Sequence, residues 1–147
     1  MEVFSTPQLA QILGITQRRL IDWCERGIIF ADIKEADGYA SRREFSYKGA
    51  LRAALAVTLK EKFRIPREVI KNIVNSLWLR GFFTEWTSGD GGSLIVVNPH
   101  DRERMQWFFL PQNFGSNYRA WAWLWEDAEA FLIVDLEKIK QKFDKKV

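Results

Sequence analysis

The stretch from residue 4 to residue 27, FSTPQLAQILGITQRRLIDWCERG, constrains this chain more than any other. Thr6 offers a side-chain oxygen to the free amides of a first helix, and Pro7 suits that helix's first position, where a missing N–H costs nothing. Leu9, Ile12 and Leu13 recur at i, i+3 and i+4 and give one apolar face. Gly14 ends the helix, because glycine takes a left-handed cap without steric cost. Ile15 then plugs the turn, and Thr16 caps a second helix in which Leu20, Trp23 and Cys24 share an inward face. Gln17, Arg18, Arg19 and Asp22 point elsewhere, and Gly27 stops the helix. Two short helices joined this way, the second opened by paired arginines, have the local pattern of a helix-turn-helix. In that motif the first turn of the second helix reaches bases and phosphates in the DNA major groove. Thr16, Gln17, Arg18 and Arg19 are therefore the first candidate DNA contacts.

Residues 28–33 are β-branched and alternate, residues 39–45 supply a partner strand, and Asp37-Gly38 between them favours a hairpin turn. The hairpin carries Lys34, Tyr39, Arg42 and Arg43 and reads as a basic wing beside the second helix. Arg42 and Arg43 are adjacent in a strand, so they point to opposite faces and one of them touches DNA directly. Lys34 is a phosphate contact or a solvated charge. Tyr39 either bonds a phosphate or packs under the wing. Ser46 caps a third helix running to about residue 63, and Pro66 opens a fourth with Val69, Ile70, Ile73, Val74 and Leu77 at helical spacing. Lys60, Lys62, Arg64 and Arg67 border the loop between them, where they hold a flanking phosphate or are simply solvated.

Three motifs in this order carry a resemblance: ITQRRLIDWCERGII, DGYASRREFS, and the helix pair containing LKEKFRIPREVIKNIV. Over roughly residues 4 to 79, about half the chain, the sequence resembles the N-terminal DNA-binding domain of the MerR family of bacterial transcriptional regulators. The resemblance implies a homodimer on a palindromic site, with Arg18 and the wing arginines gripping the DNA backbone. It also implies switching of transcription by distortion of the promoter spacer. The chain departs from the family in two places. Asp22-Trp23 stands where the family has an aromatic pair, and no long heptad helix follows residue 80 to form the usual antiparallel coiled coil.

Charge follows the same division. Residues 1 to 80 hold 14 Lys/Arg and 9 Asp/Glu and carry +5, while the remaining residues hold 8 and 10 and carry −2. Positive charge gathered on one segment is expected of a nucleic-acid-binding unit joined to something else. The single cysteine excludes an internal disulfide and any cysteine-rich metal site, and on the inward face Cys24 reads as a small core residue. His100 beside Asp101 lacks a second ligand at useful spacing. No phosphate loop, dinucleotide fingerprint, nucleophile elbow or histidine-rich motif is present, so neither an enzyme nor a cofactor is expected. With no signal peptide and no apolar run near the ~20 residues a membrane helix needs, the expectation is a soluble, cytoplasmic protein.

The second half reads differently. Residues 81–92, ending in SGDGG, read as a connector. Residues 93–97, 105–110, 120–125 and 130–136 are short and rich in β-branched or aromatic residues, which predicts an antiparallel sheet of three or four strands. A final amphipathic helix covers residues 137–146, with Leu136, Ile139 and Phe143 on its apolar side. The expected fold is thus α+β: a winged helix-turn-helix over residues 1–80, a linker over 81–92, and a small sheet with a C-terminal helix over 93–147. Trp121, Trp123 and Trp125 alternate and share one strand face, with Trp107 nearby. These rings form the core of the small domain, a dimer interface, or a pocket for an apolar or cationic effector, and Phe143 joins them as an effector or dimer-interface candidate. Sequence leaves the three open. The function expected is a homodimeric regulator binding double-stranded DNA, with a small-molecule or protein effector acting through the aromatic half. An architectural, excisionase-like or phage or plasmid accessory DNA-binding protein, and an adaptor whose aromatic half binds a protein partner, are the alternatives.

Overall fold

A computed structural model describes residues 2–34, 43–88, 92–99, 101, 103–111 and 131–144. They hold six helices and two small antiparallel sheets, an α+β architecture. Strand β1 (Val3–Ser5) leads directly into α1 (Thr6–Leu13). The cap of α1 is Ser5, one residue before the expected Thr6. Ser5 Oγ accepts from Gln8 N at 3.4 Å while Gln8 Oε1 accepts from Ser5 N at 3.0 Å, a reciprocal box that Thr6 cannot make because it is already helical and buried. Gly14, at φ 70°, closes the helix, and Thr16 Oγ1 accepts from Arg19 N at 3.1 Å to open α2 (Gln17–Glu25). Leu20 and Trp23 of α2 are buried.

Residues 28–33 do not form the expected strand. Ile28 and Ile29 are both buried, and their amides both bond Trp23 O, so the segment plugs the core instead of alternating. Lys34 bridges Glu44 in both directions; the expected hairpin turn at Asp37-Gly38 lies outside the described residues. The return strand β2 (Glu44–Ser46) pairs with β1, Phe4 facing Phe45 across the ladder, and both rings are buried. This pairing is non-local and was not expected from the sequence.

Helix α3 (Tyr47–Phe63) is buried on every side from Gly49 to Val57 and is the axis on which the rest is assembled. Its cap is a relay: Ser46 Oγ accepts from Gly49 N at 3.1 Å and donates to the Asp32 carboxylate, which also accepts from Ser46 N at 3.0 Å. Helix α4 (Arg67–Leu79) buries Val69, Ile70, Ile73, Val74 and Leu77, the five positions its spacing predicts.

The expected connector is largely helix α5 (Phe82–Ser88). Phe82, Phe83 and Trp86 are buried against α3 and α4, giving this short segment the apolar face that lets it fold. Strands β3 (Gly92–Val97), β4 (Gln106–Pro111) and β5 (Phe131–Asp135) form an antiparallel sheet in the order β4-β3-β5. The expected strand at 120–125 lies outside the described residues. Helix α6 (Leu136–Asp144) returns to α1 and α3, where the Phe143 ring lies 5.6 Å from those of both Phe4 and Tyr47. Both halves therefore share one hydrophobic core.

At Gly49 an added Cβ would stand within 2.9 Å of the Asp32 carboxyl carbon. Gly49→Ala is expected to cost ~1–3 kcal/mol in urea unfolding, and adding Asp32→Ala should recover part of that loss.

Candidate nucleic-acid interface

The sequence between Thr16 and Arg26 produces a helix with two unlike faces. Its apolar face is locked by Leu20 and Trp23, with Cys24 half-buried against the same core. The opposite face divides into residues with partners and residues without. Gln17 and Arg18 in the first turn are exposed, and their side chains make no hydrogen bond or ion pair with the described residues, whereas the Thr16 hydroxyl accepts from the Arg19 amide as the helix cap. Arg19 is engaged twice: its guanidinium lies 5.5 Å from the centre of the Trp23 ring and pairs with Glu61 in the last turn of α3. Asp22 accepts from Arg26 Nε at 2.9 Å and stands 3.6 Å from Arg67 Nη1 at the start of α4. The helix is thus tied to α3 near its first turn and to α4 near its middle.

The connection from α2 to the hairpin base is held by a residue the sequence reading did not single out. Arg52, in the centre of α3, is 1% exposed. Its Nη2 donates to Ile28 O at 3.2 Å and to Asn75 Oδ1. The guanidinium carbon sits 4.0 Å from the Phe30 ring centre and 5.1 Å from that of Trp78, which meet each other edge-on. Nε and Nη1 are buried and find no acceptor among the described residues. Burial, partly offset by the nearby Asp32 charge, lowers this guanidinium to about 10, so Arg52 stays charged at neutral pH. The signal available in the sequence was a lone charge inside the run ALRAALAV. Arginines are so often surface residues that this signal is easily passed over.

Of the expected wing contacts, Lys34 is exposed at the hairpin base and Arg43 is half-buried. Tyr39 and Arg42 lie outside the described residues. The end of α3 adds Lys60, Lys62 and Arg64. Lys142 of α6 belongs to the same edge: burial lowers its ammonium and the nearby Lys62 charge lowers it further. On the aromatic side, Trp107 is half-buried and faces Arg80 at 5.9 Å, while Trp121, Trp123 and Trp125 lie outside the described residues. Phe143, grouped with the interface candidates by sequence, is a core residue, because α6 turns its apolar side onto Phe4 and Tyr47.

Among the described residues no group of His, Cys, Asp or Glu is arranged to hold a metal ion, and no helix is long and apolar enough to cross a membrane. Comparison with protein-family models and with curated proteins finds no match for this sequence.

Two outcomes follow from this geometry. Asn75→Leu should cost ~1–3 kcal/mol in urea unfolding, because it removes an acceptor from a buried charge, and the loss should shrink in an Arg52→Met background. Phe143→Ala should cost ~3–5 kcal/mol of stability as a core truncation and leave the sedimentation coefficient of the folded protein unchanged.

Proposed function

We propose that this chain is a sequence-specific DNA-binding regulator in which α2 is the recognition helix of a winged helix-turn-helix. The observation that carries the reading is the first turn of α2. Gln17 and Arg18 stand exposed and unpaired there, on a helix whose opposite face is fixed in the core. A DNA-reading helix needs this combination, since base contacts discriminate only when the backbone behind them is held in place. The α1–α2 turn, closed by Gly14 and Ile15, supports the reading, as does the antiparallel bridge between Lys34 and Glu44, where the expected wing would begin. Lys60, Lys62 and Arg64 extend the basic surface from which phosphate contacts draw most of their affinity.

Two copies of the chain would meet half-sites on one side of the duplex, spaced near a multiple of a helical turn, ~34 Å. Gln17 and Arg18 supply base discrimination, and Lys34 and Arg43 with the α3 lysines supply backbone affinity. The likeness to MerR regulators adds a mode of action in which the bound dimer distorts the promoter to switch transcription.

Selection of random duplex DNA by the purified protein tests the reading, with Arg18→Ala as the control. An enriched inverted repeat is expected. The variant should lose ~1–3 kcal/mol of affinity for that sequence with no change in thermal midpoint, because Arg18 is exposed and unpaired. Undiminished affinity in the variant would remove α2 from the interface.

A further inference from the structure

We propose that Glu61 is an internal stand-in for a DNA phosphate on Arg19, restraining part of the recognition turn until a nucleic-acid backbone displaces it. The proposal rests on the DNA-binding reading of α2.

Three observations carry it. Glu61 is an acid in the last turn of α3, where the negative end of the helix dipole disfavours it, and it sits between Lys60 and Lys62 in a turn otherwise basic. Its carboxylate pairs across the helix interface with Arg19, in the first turn of α2. The Arg19 guanidinium is also held beside the Trp23 ring, which is itself buried, so the cation is kept in one place whichever anion it meets.

The magnitude decides between a stabilising bridge and a displaceable one. Both side chains are well exposed, 35% for Arg19 and 47% for Glu61, and such surface pairs contribute ~0–1 kcal/mol. An interaction that weak does little to hold α2, whose Leu20 and Trp23 are already buried in the core. A phosphate accepts from a guanidinium at least as well as a carboxylate does. A duplex seated on the first turn of α2 can therefore take Arg19 over, leaving Glu61 to its lysine neighbours. Arg18, with no such partner, is available from the outset. The two arginines of the turn thus differ: one is free, and the other is held in reserve.

The test uses the full chain and a fluorescein-labelled duplex of mixed sequence, followed by anisotropy at low salt. The proteins are the wild type, Glu61→Gln, Arg19→Gln and the double variant. Glu61→Gln is expected to bind up to about fivefold more tightly, the fold-change equivalent of an exposed pair. That gain should vanish in the Arg19→Gln background, because Glu61 acts through Arg19. An equal gain in both backgrounds would mean that Glu61 merely repels the duplex, and would overturn the proposal. So would the absence of any gain, or a Glu61→Gln protein whose thermal midpoint collapses, which would make the bridge structural. A wild-type chain that fails to bind duplex DNA at all would instead remove the DNA-binding reading from which the proposal starts.

Discussion

The cation in the middle of α3 sets much of what surrounds it. A guanidinium that is 1% exposed must keep its charge away from water, and leaving such a group without acceptors costs several kcal/mol, roughly, even after relaxation. Arg52 meets part of this requirement through Nη2, which donates to one backbone carbonyl and one side-chain amide, and by setting its guanidinium near two aromatic rings. These partners come from two segments. Ile28 and Phe30 belong to the exit from α2, while Asn75 and Trp78 lie on consecutive turns of α4. The route from α2 towards Lys34 is thereby fixed against α3, and Lys48, 4.4 Å from the Trp78 ring centre, adds a second cation to the same aromatic group. Two residues beyond Phe30, Asp32 fastens the same route to the cap of α3 through Ser46.

A consequence is that α2 is positioned by buried groups and only adjusted by exposed ones. Burial of Leu20 and Trp23 is worth ~1.5–3 kcal/mol apiece, whereas the Asp22–Arg67 and Arg19–Glu61 pairs, lying at the surface, contribute ~0–1 kcal/mol each. The core therefore decides where the helix lies. The surface pairs decide which of its polar side chains are committed to the scaffold and which are left for something else.

Local chemistry in the sequence anticipated a good deal of this. Gly14, Thr16, Ser46 and Pro66 mark helix ends through hydrogen bonds or dihedral constraints that involve neighbours a few residues away, and the apolar spacing of α4 and the strands at 92–97 and 131–135 is equally local. What sequence concealed was non-local. The cap of α1 falls on Ser5 instead of the expected Thr6, at the end of β1, which pairs with a strand some forty residues away. Helix α5 was hidden between Gly81 and the glycines of SGDGG, although its Phe82, Phe83 and Trp86 already marked an apolar face. Within the candidate site, the exposed Gln17 and Arg18 follow from helix geometry alone. The commitment of Arg19 to Glu61 and the burial of Arg52 depend on which helices meet, and no periodicity carries that information.

The same distinction governs charge. Divided by residue number, the chain has a basic first part and a mildly acidic second, which invites a picture of a DNA-binding unit attached to a separate module. The fold does not respect that division. Helix α6 comes back over α1 and α3 because Phe143 completes a core that Phe4 and Tyr47 leave open, and in doing so it brings Lys142 within the field of Lys62. Lys140 is drawn inward to donate to Trp86 O at 3.1 Å, while Lys138 and Lys142 remain at the surface. Lys142, counted with the acidic part by sequence, is thus returned to the basic edge by an apolar contact. The positive surface next to α2 is assembled from both ends of the chain, so loss of α6 would take away a piece of that surface along with a wall of the core.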